Sequence, residues 1–301
     1  MKPLSLNLLK IGGVGMVAGL LSSQVAFGVT LLDEDFSDGN RNGWYSVGTS
    51  DQATGNTVST VSSFDSGYAL RYYSSYSNNA VVTSFSGVTL QNNGDYVELS
   101  ATYRYSAPDI AGNSTTGPLL GLYNNMGSPI VEDSLGSESG VGEVVQSWDG
   151  YKATKYIEAS TGDGFIFSQS PVGNVVSAFS RFSGSQIDNF DGGFVLVSGV
   201  NYSNSLRIEL QSNLTDVEIT YSISGGGNSF SESTIVAASN LTFNEVALAA
   251  YSGQGGVNSY LGDISVTSNI PEPGVAALII AGGALGLVMV RRRRSSSPLQ
   301  D

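Results

Sequence analysis

The chain has 301 residues, of which 13% are charged and 38 are glycine. It contains no cysteine and no histidine, which excludes disulfides, thiolate nucleophiles, imidazole bases and ordinary zinc or copper sites. Outside the two end segments, 1–28 and 268–301, the chain holds 24 acidic and 7 basic residues. Such a surface repels phosphate backbones, so we expect no nucleic-acid partner.

The first 28 residues have the three parts of a secretory signal peptide. Lys2 and Lys10 form a positive region, residues 11–21 are apolar, and Ala26-Phe27-Gly28 fits a small-x-small cleavage site. A helix that stays in place is the alternative, but the apolar run is short for a membrane span and polar sequence follows it at once. We therefore predict Sec-dependent export, cleavage by signal peptidase and a mature chain that begins near Val29.

The C-terminal segment predicts one membrane span. Residues 274–290 are 17 apolar or small residues, which at 1.5 Å per residue just match a thin hydrocarbon core. The arginines at 291–294 hold that end in the cytoplasm. The predicted organisation is a linker at 268–273, a transmembrane helix at 274–290 and a basic cytoplasmic tail at 291–301, with the body in the periplasm.

These C-terminal residues also resemble the PEP-CTERM sorting signal, which exosortases recognise. The resemblance covers about 270–294 and depends on Pro271, Glu272 and Pro273, the apolar span, and Arg291, Arg292, Arg293 and Arg294. It implies that an exosortase cuts near Pro-Glu-Pro and passes the body from the inner membrane to the cell surface or extracellular matrix. Gly274 stands where Ser or Thr is commoner, and the tail continues beyond the arginines. A plain C-terminal anchor is the alternative.

Between the ends the sequence alternates apolar and polar residues with a period of two. The pattern is clearest at 97–105, 206–211 and 217–224 and is typical of half-buried antiparallel strands. Turn signals such as Gly225-Gly226-Gly227-Asn228 separate the runs, and no stretch has a convincing helical period. We predict an all-β body, one β-sandwich domain at 29–267, with further strands at 30–36, 57–63, 68–74, 80–86, 117–123, 151–159, 175–183, 193–200, 243–250 and 260–267.

Parts of the body resemble the concanavalin A-like lectin/glucanase jelly rolls. Residues 32–39 with Gly43-Trp44 look like the first strand of such domains, and 247–253 and 260–266 look like the last two. The resemblance implies an antiparallel two-sheet jelly-roll sandwich in which the first and last strands are adjacent.

That topology suggests one cofactor, a structural calcium ion. Jelly-roll modules often bind calcium where the first and last strands meet, so Glu34 or Asp35 could meet Asp263, with backbone carbonyls completing the oxygen shell. The alternative is that these acids are solvated or cap a turn. The 188–191 stretch is a further candidate, and no cofactor is required by the sequence.

Aromatic residues suggest a carbohydrate as a ligand, and the PEP-CTERM resemblance implies an exopolysaccharide as the kind of carbohydrate. Tyr72, Tyr73 and Tyr76 cluster in one polar segment, and Trp44 and Trp148 are the only tryptophans. Sugar rings stack on aromatic side chains, while amides and carboxylates bond their hydroxyls. The alternative is that the tryptophans are buried anchors and that other tyrosines, such as Tyr103, Tyr105 and Tyr221, belong to the core.

The residues do not favour catalysis. The Glu-x-Asp-x-x-Glu string of laminarinase-like jelly rolls is absent, and Glu132, Asp133 and Glu138 fall in a predicted loop. A serine hydrolase would need Lys152 or Lys155 as its base and lacks a Gly-x-Ser-x-Gly elbow. We therefore expect a non-catalytic exported surface or matrix protein, with a carbohydrate-binding module as the alternative and a glycoside hydrolase as the less favoured one.

Overall fold

The structure is a computed structural model that describes residues 28–48, 57–74, 80–105, 117–135, 147–155, 164–169, 185–190, 196–251 and 257–270. The predicted signal peptide, Pro-Glu-Pro motif, transmembrane helix and basic tail lie outside these ranges. Across the described ranges no helix is long and apolar enough to span a membrane.

The described residues form β-strands separated by turns and loops. In chain order they are β1 (Val29–Glu34), β2 (Tyr45–Gly48), β3 (Thr57–Thr60), β4 (Tyr68–Ser74), β5 (Ala80–Thr89), β6 (Tyr96–Tyr105), β7 (Gly117–Asn124), β8 (Ser134–Leu135), β9 (Asp149–Lys155), β10 (Gly164–Gln169), β11 (Ser185–Phe190), β12 (Asn201–Leu210), β13 (Asp216–Gly225), β14 (Asn228–Ala237), β15 (Thr242–Tyr251) and β16 (Val257–Ser268).

The strands form two eight-stranded sheets. Sheet A has the order β14-β13-β12-β6-β16-β4-β3, with β1 paired to β16, and sheet B has the order β11-β10-β9-β7-β15-β5-β2-β8. All neighbours are antiparallel except the short β2–β8 pair. The all-β, two-sheet prediction is confirmed, as is the expected pairing of the first strand with the last.

The main core lies between the sheets because each sheet turns one apolar face inward. Along β6, half-buried residues alternate with fully buried ones, which are Val97, Leu99, Ala101, Tyr103 and Tyr105. Full burial of side chains such as Val97 and Leu99 contributes about 1.5–3 kcal/mol each. The Tyr103 hydroxyl donates to the Leu119 carbonyl at 2.9 Å. The alternative interpretation of the tyrosines is therefore correct for Tyr103 and Tyr105, as it is for the equally buried Tyr221.

Sheet B is buried on its outer face as well. Trp148 lies there, fully buried, with its ring centre 5.8 Å from that of Tyr123. Its Nε1 donates to the Ser128 carbonyl at 3.1 Å, which satisfies the one polar atom of the indole. Trp44 is also buried, 2% exposed, and packs against Phe36 in the main core. Both tryptophans are thus buried anchors rather than exposed stacking platforms.

Several strands differ from the prediction. Strands β2, β8, β10, β11 and β14 were not predicted, and the described part of the predicted 193–200 strand, 196–200, is not a strand. Strand β14 lies at the edge of sheet A and leaves most of its side chains exposed on both faces. Its serine-rich sequence therefore has no regular apolar alternation to detect. The predicted strand at 175–183 lies outside the described residues.

The two ends of the body leave it side by side. Val29 pairs with Ser268, and the Ser268 hydroxyl donates to the Tyr96 carbonyl at 2.7 Å. Ile270, the last described residue, packs against the main core. The folded body therefore extends to the residue that precedes Pro271.

Candidate functional site

A cleft of about 460 Å³ lies beside β2. It is lined by the segment that leads into this strand and by the segment that leads into β8: Arg41, Asn42, Gly43, Trp44, Tyr45, Val131, Glu132 and Asp133. The parallel β2–β8 pairing, Val47 with Ser134, brings the two segments together.

An ion pair joins the two walls of the cleft. Arg41 makes a two-pronged contact with the Asp133 carboxylate, with Nη1 donating to Oδ1 at 2.8 Å and Nη2 donating to Oδ2. The backbone N–H of Ser46 also donates to Asp133 Oδ1 at 2.8 Å. Because both side chains are about one-third exposed (32% and 37%), the pair contributes only about 0–1 kcal/mol of stability. Its main effect is to fix the relative position of the two walls.

The ion pair also sets the protonation of its partners. The hydrogen bond from Arg41 lowers the pKa of Asp133, and the same bond raises the pKa of Arg41. Asp133 therefore stays ionised at neutral pH, whereas a general acid for glycoside hydrolysis needs a raised pKa. Asp133 is therefore unsuited to act as a general acid.

The remaining lining combines polar and apolar groups at the surface. Asn42 and Glu132 are exposed, Tyr45 is half-buried, and Val131 is 68% exposed. An amide and a carboxylate can bond hydroxyl groups, while the tyrosine ring and the valine offer an apolar surface. This mixture is suited to a hydroxyl-rich ligand with apolar patches, which is the chemistry of a sugar ring.

The three acids predicted to bind calcium lie near one another but form no ligand set. The Glu34 carboxylate accepts the Phe36 N–H at 2.7 Å. Burial raises the pKa of Asp263, and the Asp65 and Asp35 charges raise it further. Among the described residues no group of three or more His, Cys, Asp or Glu side chains could hold a metal ion. Calcium binding by Glu34, Asp35 and Asp263 stays a prediction.

The other predicted site residues are dispersed. Tyr72 and Tyr73 lie on β4, opposite Ser259 and Asn258 of β16, but their side chains are outside the described part of the structure, as is the whole of Tyr76. The seven residues of the sorting signal, Pro271, Glu272, Pro273 and Arg291 to Arg294, and the loop acid Glu138 are also outside it. Asp188 lies on β11, where its carboxylate accepts the Asn189 N–H at 2.8 Å.

The two lysines considered as bases are fully buried in aromatic surroundings. Lys152 Nζ lies 5.5 Å from the centre of the Phe167 ring, and Lys155 Nζ lies 3.9 Å from that of Phe230. Burial lowers the pKa of Lys152 to about 7. Neither lysine lines the cleft.

Sequence reasoning found the cleft only in part. Glu132 and Asp133 were singled out as loop acids and Trp44 as an aromatic, but Arg41, Asn42, Tyr45 and Val131 were missed. Arg41 and Asp133 are 92 positions apart, and no spacing rule connects them. The only local signal was the turn-forming composition around Gly43.

Comparisons with known proteins give distant structural likenesses. No protein-family model matches the chain, and no curated protein matches it. A solved structure of peanut lectin with a 9-residue peptide is 13% identical, with 80% of this chain and 97% of that chain covered and a TM-score of 0.48. Arcelin-5, a lectin-like defense protein from Phaseolus vulgaris, is 11% identical, with 80% and 97% covered and a TM-score of 0.42. Winged bean acidic lectin complexed with methyl-α-D-galactose is 12% identical, with 80% and 98% covered and a TM-score of 0.43. Likenesses this distant do not bear on function.

Proposed function

We propose that this chain is an exported, non-catalytic cell-surface or extracellular-matrix protein with a concanavalin A-like jelly-roll body and a C-terminal sorting signal. One observation carries the proposal, namely the order Pro271-Glu272-Pro273, an apolar segment at 274–290 and Arg291 to Arg294 near the chain end. An apolar segment followed by arginines stops translocation with the arginines inside. An exosortase would then act near Pro-Glu-Pro and release or transfer the body.

The end of the folded body supports this order of events. Ile270 is packed against the core, and the Asn269 side chain is bonded to the backbone of Tyr96 and Gly94. The Pro-Glu-Pro motif begins at the next residue. Proline lacks an N–H and cannot donate to a strand ladder, so we expect the motif to be available to a processing enzyme.

The test is the intact mass of the protein purified from cells with and without the exosortase. The proposal expects loss of the residues beyond the 271–273 region only when the enzyme is present. A variant with alanine at Pro271, Glu272 and Pro273 keeps the apolar span and the arginines, and it should remain uncleaved in both strains. A full-length, membrane-retained wild-type product in both strains would show that the C-terminus is a plain anchor.

A second function, carbohydrate binding, is favoured by the cleft. Arg41 is held by Asp133 so that the two walls are preformed, and preformed sites lose less entropy when they bind. Asn42 and Glu132 are positioned at the surface to bond hydroxyl groups. A glycan array probed with the released body tests this function directly. A variant with a substitution at Asn42 or Glu132 of the cleft is the negative control.

A further inference from the structure

Four turns gather at the end of the body where the chain leaves it. We call this the exit end and define it by residues 90–95, 125–128, 211–215 and 238–241 together with Asn269. Three hydrogen bonds link its parts to one another: Asn269 Nδ2 to Gly94 O at 2.8 Å, Ala238 N to Thr215 O at 2.8 Å and Leu90 N to Leu241 O at 2.9 Å. Two more link it to the adjoining strands: Gly94 N to Leu210 O of β12 at 2.9 Å and Asn125 N to Asn244 Oδ1 of β15 at 2.9 Å.

Two of these turns present large apolar side chains to the outside. Met126, from the sheet B turn, is 56% exposed, and Leu214, from the sheet A turn, is 49% exposed. Both have left-handed backbones, with φ of 52° and 58°, a conformation that costs a residue with a side chain about 1–2 kcal/mol. Glycine or asparagine would suit these positions better in water. An apolar residue at a strained and exposed turn tip indicates that the tip contacts something other than water.

The sequence beyond Ile270 indicates what these two turn tips contact. Only residues 271–273 separate the folded body from the apolar segment that begins at Gly274. Four fully extended steps from Ile270 to Gly274 span at most about 14 Å. The ten-residue strands of the body are about 33 Å long. If 274–290 spans the membrane, the exit end is held at the bilayer surface and the opposite end is held away from it.

The charge of the exit end fits contact with lipid through apolar groups. The four turns contain one charged residue, Asp95, and no lysine or arginine. Anionic lipid headgroups are therefore not attracted, and contact with a zwitterionic bilayer depends on the apolar tips. The interfacial layer outside the hydrocarbon is about 5–7 Å thick on each side, which a turn tip can cross.

We propose that Met126 and Leu214 insert into the interfacial layer of the bilayer while the chain is anchored, so that the body rests on the membrane by its exit end. The inference rests on the proposed anchored stage of sorting. It makes these two residues a lipid-contact site that orients the body on the membrane beside the 271–273 motif.

Since the natural chain has no cysteine, single-cysteine labelling gives a direct test. The full-length chain is reconstituted into phosphatidylcholine vesicles as M126C, L214C or V197C, each carrying an environment-sensitive fluorophore. Val197 is a matched control because it is 56% exposed and lies at the opposite end, where the neighbouring Gly199 N–H donates to the Tyr105 carbonyl at 2.8 Å. N93C, at the exposed Asn93 of the exit end, reports on the same surface if a left-handed position does not tolerate the label.

The proposal expects blue-shifted emission at positions 126 and 214 and quenching by headgroup-proximal spin-labelled lipid at least about twofold stronger than at 197. The inference would be overturned if emission and quenching at positions 126, 214 and 93 equalled those at position 197 in a chain that resists alkaline extraction. That result would leave the proposed anchor intact. Extraction of the chain from the vesicles by alkaline carbonate would instead overturn the anchored stage on which the inference rests.

Discussion

The Asn269 side chain accepts the backbone N–H of Tyr96 at 2.8 Å through its Oδ1. Its Nδ2 donates to the Gly94 carbonyl at 2.8 Å, so one side chain satisfies a backbone group of the turn before β6 and a backbone group of the first residue of β6. This pair of bonds fastens the segment that follows β16 to the start of β6, directly before the predicted processing motif.

We expect N269A to lower the free energy of unfolding by about 1–3 kcal/mol, because it removes both bonds and leaves two backbone groups without a partner. Urea unfolding followed by the fluorescence of the buried Trp44 and Trp148 measures this change. N93A is the matched control, since Asn93 is exposed in the same turn, and it should change stability by less than about 0.5 kcal/mol. Equal effects of the two variants would show that the Asn269 bonds are not stabilising.

A second prediction concerns the close approach of β7 and β9. A Cβ on Gly117 would overlap the Lys155 carbonyl oxygen, which belongs to the backbone of the paired region and has little freedom to move. We expect G117A to destabilise the body by about 1–3 kcal/mol or more through this overlap. At Gly87 of β5 an added Cβ would meet Asn244 Cβ at an ordinary 3.4 Å, and G87A should be nearly neutral. Similar unfolding midpoints for G117A and G87A would contradict the close approach of the Lys155 carbonyl to Gly117.

A third prediction is a pH dependence of stability that originates at Asp149. Burial raises the pKa of Asp149 from 3.8 to about 6, and among the described residues its Oδ1 has no hydrogen-bond partner. The folded state therefore holds this proton more tightly than the unfolded state does, and the contribution of Asp149 to stability falls as pH rises from about 4 to about 6.

The variant D149N removes this titration. Between about pH 4 and pH 6, the unfolding free energy of D149N should rise relative to that of wild type. Below and above this range, the difference between the two proteins should not change with pH. Unfolding curves at pH 3.5, 5 and 7 measure the difference, with E232Q, at an exposed glutamate of β14, as the control. A D149N difference that does not vary with pH would contradict the raised pKa.

A fourth prediction concerns the cleft. If it binds a glycan, N42A and E132A should each weaken binding by about tenfold, which corresponds to about 1.4 kcal/mol for one lost hydrogen bond to the ligand. Both residues are exposed, so neither change should disturb the fold. E232A, on the edge strand of sheet A and outside the cleft, should bind as wild type does in calorimetric titration. Unchanged affinity in both cleft variants would place the glycan site elsewhere.

The alternation of apolar and polar residues was sufficient to predict the all-β class and the central strands. Strands β6 and β13 could be predicted because their inward side chains are apolar and their outward side chains are polar at every second position. This pattern is local, since burial of one sheet face imposes a period of two on the sequence. The order of charged, apolar and motif residues at the two chain ends is likewise a property of the sequence alone.

The cleft and the exit end were decided by the tertiary structure. Arg41 meets Asp133 across 92 positions because the β2–β8 pairing joins two segments that are separated in the chain by strands β3 to β7. Met126 and Leu214 share one end because two different sheets turn there. Edge strand β14 was missed because exposure on both faces removes the alternation that burial imposes. Local sequence patterns record which face of a strand is buried, whereas contacts between distant loops depend on how the sheets are ordered and packed, and no local pattern records that order.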